Sequence, residues 1–142
     1  MKKYLLIFMA AIIFVNVSTA NNVSAQTLKI IKAEVPFDFQ IGDKTYPAGA
    51  YRLESIAARS DNLFQLRSFD RKKQQMLVTR SLFANRWQTP KLVFYRIGEE
   101  YYLTNIFMED GNWGFSLRMS RQVKEGRKLA STKVVEVAAT NK

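Results

Sequence analysis

The sequence predicts a mainly β protein, an antiparallel β-sandwich or small β-barrel of seven to eight strands with one short C-terminal helix. Short aromatic and apolar runs recur at roughly ten-residue spacing, and most of them alternate apolar with polar residues. That alternation is typical of strands with one buried face. Glycine-containing or charged turn signals separate the runs, as they do in antiparallel sandwiches and barrels. Both architectures fit this pattern, and the sequence does not choose between them.

The first 25 residues are predicted to be a signal peptide. Lys2 and Lys3 form a positive start, and the apolar run Tyr4–Val17 follows them. Val23–Ala25 fits the small-x-small cleavage pattern, and Ser18–Ala20 offers an alternative site. The apolar run is shorter than a membrane span, and no other run of spanning length follows it. We therefore expect export to the periplasm or the extracellular space, with no transmembrane span after the signal is removed.

The rest of the chain, residues 26–142, is predicted to be a single β-rich domain, within which 118–142 forms a basic helix and tail. The full sequence has 22 Lys and Arg residues against 12 Asp and Glu residues, a formal net charge of +10. It contains no cysteine and no histidine. Disulfides, Ser-His-Asp and Cys-His catalysis and imidazole metal sites are therefore excluded.

Carboxylates are the remaining acid–base groups. Glu99-Glu100 and Glu109-Asp110 are adjacent pairs at predicted hairpin tips. Neighbouring residues of a strand point to opposite faces, so neither pair is set up to share a proton or to flank a glycosidic bond. The sequence also lacks phosphate-binding and dinucleotide-binding glycine motifs and a calcium loop. We predict a protein that is not an enzyme, with no catalytic residues, no cofactor and no metal.

The stretch from Val35 to Leu53 predicts a hairpin with an aromatic face. Phe37 and Phe39 alternate with polar residues, and Gly42 suits the first central position of a two-residue turn, where φ is positive. This register places Phe39 opposite Tyr46.

A second hairpin is predicted from Lys91–Ile97 and Glu100–Met108, joined at Gly98-Glu99. The run Leu92–Tyr95 is apolar at successive positions, as expected for a strand covered on both faces.

Three further elements are predicted from sequence patterns that are less regular than those of the two hairpins. Leu82–Pro90 is predicted to be a long connection that contains aromatic residues. Ser120 is a suitable N-cap for a short helix through Ala130, although Gly126 inside it costs roughly 1 kcal/mol relative to alanine. Val134 to Val137 is predicted to be an edge strand, followed by a frayed tail.

The basic residues of the last part of the chain form the candidate anion-binding face. Its members are Arg118, Arg121, Lys124, Arg127 and Lys128. Three- and four-residue spacing places Arg121, Lys124 and Lys128 on one helix face, and Arg71-Lys72-Lys73 is expected to extend it. A solvated helix face explains the same spacing without any ligand.

Three blocks of the sequence resemble a family of small exported β-rich proteins of acidobacterial-type soil bacteria. The blocks are Val35–Tyr51, Lys91–Gly98 with Tyr101–Leu103, and Ser120-Arg121 ahead of Leu129-Ala130. The first block carries the most specific signature, Val-Pro-Phe-Asp-Phe followed by Pro-Ala-Gly-x-Tyr. The resemblance implies export and a β-rich fold, and it implies no activity and no functional residues.

Together these observations predict a non-enzymatic binding or structural role at the cell envelope. The expected partner is an anionic glycan or lipid surface. Nucleic acid is not expected, because export separates the protein from it. The alternative is a small β-barrel that carries an apolar ligand, since an eight-stranded barrel has room for one small molecule.

Overall fold

The computed structural model describes residues 29–56, 62–87, 89–108, 111–129 and 132–141. These residues form ten strands and one helix. The strands are β1 (Ile30–Val35), β2 (Phe39–Ile41), β3 (Lys44–Tyr46), β4 (Gly49–Ser55), β5 (Leu63–Ser68), β6 (Gln74–Trp87), β7 (Lys91–Ile97), β8 (Glu100–Phe107), β9 (Gly111–Leu117) and β10 (Lys133–Asn141), and the helix is α1 (Arg121–Leu129). The predicted signal peptide and its cleavage sites lie outside the described residues.

Eight of the strands close into an antiparallel barrel. Their order is β8-β7-β10-β1-β4-β5-β6-β9, and β9 pairs back with β8. Every neighbouring pair in this ring is antiparallel. The prediction of a mainly β fold with one short C-terminal helix is confirmed, and the architecture is the barrel rather than the sandwich.

The β2-β3 hairpin covers one end of the barrel. As predicted, Phe39 pairs with Tyr46 and Gly42 takes a positive φ of 60°. The Phe39 ring is 1% exposed and lies 5.1 Å from the ring centroid of Tyr51 and 5.4 Å from that of Phe94. The hairpin joins the barrel by a short parallel pairing of β2 with β8. Its aromatic face therefore becomes part of the barrel core.

Alternate residues of the barrel strands point inward, and their side chains fill the interior of the barrel. Ile31 on β1 faces inward with its partner Leu53 on β4, and Phe64 on β5 meets Phe115 on β9 with 4.7 Å between ring centroids. The largest side chains that are less than 2% exposed are Phe39, Phe64, Phe94, Ile31, Leu53, Leu66, Leu92, Ile106, Val35 and Thr104. Large side chains thus occupy the described interior, as in other small barrels.

A bulge in β8 interrupts the pairing of β7 with β8. Val93 pairs with Asn105 and Phe94 with Leu103, so Thr104 is an extra residue between the two pairs. The Thr104 hydroxyl donates to the Val93 carbonyl oxygen over 3.1 Å, which satisfies a side chain that is only 1% exposed. Leu92, Val93 and Phe94 are all buried, which confirms the predicted coverage of this hairpin on both faces.

The helix α1 covers the outer face of β7. Ser120 is its N-cap, as predicted, because its hydroxyl accepts a hydrogen bond from the Val123 amide over 3.3 Å. Val123 is 3% exposed. A Cβ added at Gly126 would lie 2.9 Å from Cγ2 of Ile97. Glycine at this position therefore allows the helix to approach the barrel closely.

Two predictions about elements were wrong. Leu82 to Trp87 is not part of a loop, because β6 continues through it and Phe83 pairs with Trp113. The segment after Val134 is neither an edge strand nor frayed, because β10 runs to Asn141 between β7 and β1. In both cases the stabilising partner is a strand distant in sequence, which local periodicity does not reveal.

Among the described residues, no helix has the length and apolar character needed to cross a membrane.

Candidate anion-binding site

The predicted basic face of α1 is solvent-exposed. We use "helix face" for Arg121, Lys124 and Lys128, which are all exposed. Arg121 is 92% exposed, and its Nε lies 3.0 Å from Oε1 of Glu125. Such exposed pairs contribute about 0–1 kcal/mol of stability, so they do little to fix the side chain. The helix face can therefore meet an anionic surface without breaking a strong interaction.

The other two predicted residues lie apart from the helix face. The Arg127 guanidinium carbon lies 5.7 Å from the ring centroid of Tyr95 on the barrel, so this side chain points toward β7. A cation over an aromatic ring in this way is held by the ring quadrupole. Arg118 is exposed but precedes the first residue of α1. Of the five predicted residues, three share one helix face.

A second group of cations lies on the outer wall of the barrel and was not singled out from the sequence. Lys32 on β1 pairs with Arg52 on β4, which in turn pairs with Arg67 on β5. We call these three residues the strand row. Like charges directly opposite one another on neighbouring strands destabilise a sheet. A row of three therefore concentrates positive charge at a cost to folding.

Few opposite charges compensate the strand row. Glu54 is the nearest acid, with Oε2 3.1 Å from Nη2 of Arg52 and Oε1 4.0 Å from Nη2 of Arg67. Gln65 accepts a hydrogen bond from Nη2 of Arg67 over 3.0 Å. The Nε atoms of Arg52 and Arg67 are shielded from solvent and have no hydrogen-bond partner among the described residues. Two guanidiniums thus share one carboxylate and retain unused donors.

The β5-β6 turn brings a fourth cation to the strand row. Arg71 has a φ of 60°, and it is the one non-glycine residue with positive φ in the described part of the chain. Its amide donates to the Ser68 carbonyl oxygen over 3.0 Å. Asp70 accepts hydrogen bonds from the Ser68 hydroxyl and the Lys72 amide, and these two bonds lower the pKa of its carboxyl. The turn is thus held in place by its own polar contacts.

The strand row and the turn line an open pocket that we call the wall pocket, with a volume of about 260 Å³. It is lined by Lys32, Arg52, Arg67, Ser68, Phe69 and Arg71. Phe69 is 55% exposed, and Nζ of Lys32 lies 5.7 Å from the centroid of its ring. The wall pocket therefore combines several cations with one accessible aromatic ring.

A neighbouring pocket of about 410 Å³ continues the basic surface. It is lined by Lys44, Thr45, Tyr46, Lys72, Lys73 and Gln74. The predicted extension of the helix face by Arg71-Lys72-Lys73 is therefore wrong. The pairing of β5 with β6 places these three residues beside the strand row instead.

The helix face and the strand row lie on different sides of the barrel. The helix packs on β7, and the strand row runs over β1, β4 and β5. In the order of the eight barrel strands, β1, β4 and β5 are two, three and four positions from β7. The two basic surfaces are therefore carried by different strands of the barrel.

The carboxylates near the hairpin tips are engaged separately. Oε1 of Glu99 lies 2.9 Å from Nη2 of Arg96. Glu100 accepts a hydrogen bond from the Tyr102 hydroxyl, and burial together with this bond raises the pKa of Tyr102 to about 12. The second predicted acid pair, Glu109-Asp110, lies outside the described residues. The two carboxylates of the described pair thus have different partners, Arg96 and Tyr102.

The end of the barrel opposite the β2-β3 hairpin has an exposed aromatic rim. Phe83 and Trp113 are 66% and 58% exposed, and their ring centroids are 5.3 Å apart. A pocket of about 330 Å³ at this rim is lined by Lys29, Ser81, Trp113 and Phe115. Phe115 also contacts Phe64 below it, so buried side chains close the pocket from the interior.

Comparison with known proteins gives no relative: no family model, no curated protein and no solved structure matches the chain. The resemblance of the three sequence blocks to small exported β-rich proteins therefore stays a prediction.

Proposed function

We propose that this chain is a non-enzymatic protein of the cell envelope that binds anionic glycans through the strand row and the turn that follows it. One observation carries the proposal. Lys32, Arg52 and Arg67 are aligned on three neighbouring strands, and Glu54 is the one carboxylate paired with them in the described part of the chain. A bound anion would relieve the repulsion within the row, so ligand binding compensates for the folding cost.

The chemistry of the row suits acidic groups. Guanidinium groups present a planar fork of donors that matches carboxylate, phosphate and sulfate oxygens. Arg71, Lys72 and Lys73 add charge at the end of the row. Without Lys2 and Lys3 of the predicted signal peptide, 20 Lys and Arg residues remain against 12 Asp and Glu residues, a net charge of +8. A field of one sign attracts polyanions over about 10 Å at 0.1 M salt. Export, predicted from the first 25 residues, would bring the protein to envelope polymers.

The proposal is tested by retention on a heparin column, with heparin as a generic anionic glycan. Two triple variants each remove three positive charges, so their net charges match. One is Lys32→Gln/Arg52→Gln/Arg67→Gln on the strand row, and the other is Arg121→Gln/Lys124→Gln/Lys128→Gln on the helix face. We expect the strand-row variant to elute at clearly lower salt than the helix-face variant, because its charges converge on one pocket.

Circular dichroism checks that both variants remain folded. Equal elution of the two variants would mean that retention follows net charge alone, and the strand row would lose its role. A helix-face variant that elutes first would instead support the face predicted from the sequence. If neither variant elutes earlier than the unmodified protein, the proposal is wrong.

The alternative function, a carrier of an apolar ligand, has weaker support. Large side chains such as Phe64, Phe94 and Ile106 fill the described interior where such a ligand would sit. The rim pocket beside Trp113 is one candidate place for it among the described residues. An apolar molecule that co-purifies in native mass spectrometry, and that is lost on Trp113→Ala, would favour the carrier.

A further inference from the structure

The size of the wall pocket limits what it can hold. Its volume of about 260 Å³ is below the roughly 300–1,000 Å³ of sites that enclose drug-sized ligands. A bare inorganic anion would leave most of this space to solvent, whereas a single sugar residue would occupy it. The rest of a polymer would extend beyond the pocket.

The lining of the pocket is both charged and apolar. Arg67 and Arg52 present guanidiniums on one side, and Phe69 presents a ring that is 55% exposed. Lys32 lies over that ring, with 5.7 Å between Nζ and the centroid. A ligand that suits both parts carries an acidic group and an apolar face in the same small unit. A sugar ring has such a face, formed by its C–H groups.

The backbone at Arg71 supports a functional reason for the pocket. A left-handed conformation, with φ of 60°, is one that glycine or asparagine adopts at lower cost than arginine. Strain of this kind is found disproportionately at binding sites. Arg71 lines the pocket together with the strand row. The turn does not need the positive charge of Arg71, whereas an anionic ligand would bind to it.

We propose that the wall pocket binds one acidic sugar residue of an anionic glycan. The carboxylate of a uronic acid contacts Arg52, Arg67 and Arg71, and the sugar ring packs against Phe69. This inference rests on the proposed function and names the unit of the polymer that the same site recognises.

The test is isothermal titration calorimetry with three probes: a short oligogalacturonate, its fully methyl-esterified form, and inorganic phosphate. We expect the oligogalacturonate to bind, the methyl ester to show no measurable binding, and phosphate to bind more weakly than the oligogalacturonate. Arg67→Gln should weaken oligogalacturonate binding by roughly tenfold or more, the factor expected for one charge-assisted hydrogen bond. Phe69→Leu should weaken the oligogalacturonate and leave phosphate unchanged.

Two further variants separate binding from folding and from net charge. Arg71→Gly removes the cation and the backbone strain together, so we expect weaker oligogalacturonate binding with an equal or higher melting temperature. Arg80→Gln removes one charge from an exposed position on β6 that does not line the wall pocket, and we expect it to bind like the unmodified protein.

The outcomes distinguish this inference from the function on which it rests. Equal losses for Arg67→Gln and Arg80→Gln would show that no discrete pocket exists. Unchanged oligogalacturonate binding by Phe69→Leu, or phosphate binding as tight as that of the oligomer, would reduce the pocket to a simple anion site. Retention on heparin without binding of oligogalacturonate would also overturn the sugar inference. The Phe69, phosphate and heparin outcomes leave the proposed function in place, whereas equal losses for Arg67→Gln and Arg80→Gln would also remove the strand row's role in it. The proposed function itself fails if neither triple variant elutes from heparin earlier than the unmodified protein.

Discussion

At the scale of single residues, two left-handed backbone positions differ in purpose. Gly42 and Arg71 have the same φ of 60°. Glycine adopts this φ without strain, and a Cβ added at Gly42 would have open space around it. At Arg71 the strain persists, and the side chain lines the wall pocket. The first position serves the β2-β3 turn, while the second combines a turn with a surface cation.

Gly42→Val is expected to destabilise the protein by about 1–3 kcal/mol, because a β-branched residue is strained at positive φ. Since nothing lies within 4 Å of the added Cβ, the loss comes from the backbone and not from a clash. Urea unfolding followed by circular dichroism measures it. Gly42→Asn is the control and should cost less, because asparagine tolerates this conformation. Equal losses for valine and asparagine would contradict a backbone origin.

Residues whose role depends on near neighbours could be predicted from the sequence. The positive φ of Gly42, the pairing of Phe39 with Tyr46 and the cap at Ser120 each depend on a few adjacent positions. The strand row could not be predicted in the same way. Arg52 and Arg67 each stand between apolar residues in an alternating run, but their alignment depends on the register of β4 with β5.

At the scale of elements, α1 depends on how closely it approaches the barrel. Gly126 lies in the middle of the helix, where alanine would normally be favoured by about 1 kcal/mol. The added Cβ would, however, lie 2.9 Å from Cγ2 and 3.1 Å from Cδ1 of Ile97. Overpacking of this kind typically costs about 1–3 kcal/mol. The contact with β7 thus outweighs the intrinsic preference of the helix.

Gly126→Ala is therefore expected to lower the free energy of unfolding when it is made in the unmodified protein. In an Ile97→Ala background it should raise the free energy of unfolding, because Cγ2 and Cδ1 of Ile97 are then absent. Urea unfolding of the two single variants and the double variant completes the cycle. The same sign in both backgrounds would show that packing against Ile97 does not decide the choice of glycine.

The elements that sequence analysis misplaced are those completed by distant strands. The alternation of β7 and β8 and the glycine between them lie within one hairpin, and their bounds were predicted closely. The end of β6 is a strand because Phe83 pairs with Trp113, and β10 is central because Ala139 pairs with Ala33. Neither partner is close in sequence, so local composition resembled a loop and a tail.

At the scale of the whole molecule, burial of tyrosines makes stability depend on alkaline pH. The Tyr51 hydroxyl donates to the Pro47 carbonyl oxygen over 2.6 Å. Burial, followed by the charges of Asp70 and Asp38, raises the pKa of Tyr51 from 10.0 to about 12. The folded state therefore keeps its phenolic proton at pH values where the unfolded chain loses it. The corresponding stability is present below pH 10 and is lost as the pH rises toward about 12.

Tyr51→Phe is expected to unfold with a shallower loss of stability above pH 10 than the unmodified protein, because it lacks one of these protons. At neutral pH it should be less stable by about 1 kcal/mol, the usual value of one hydrogen bond. Urea midpoints across the alkaline range measure both effects. Parallel pH profiles for the two proteins would show that Tyr51 is not the group responsible.

The closure of the barrel is the property of the whole molecule that sequence patterns left open. Sandwiches and barrels share the same alternation and the same turn spacing. Closure depends on the short pairing of β9 with β8 through Asn105, Ile106 and Phe107, and on β10 entering between β7 and β1. These pairings connect parts of the chain that no local motif relates. The sequence alone therefore predicts a mainly β fold and does not predict the closure of the barrel.

The placement of the two basic surfaces on different strands of the barrel has a consequence for valency. If both the wall pocket and the helix face bind, one molecule has two separate sites. Two separate polymer chains can then be held by one monomer, and the second chain gains from the proximity created by the first. A small protein of this design would act as a cross-bridge between polymers, and its effect would depend on the ratio of protein to polymer.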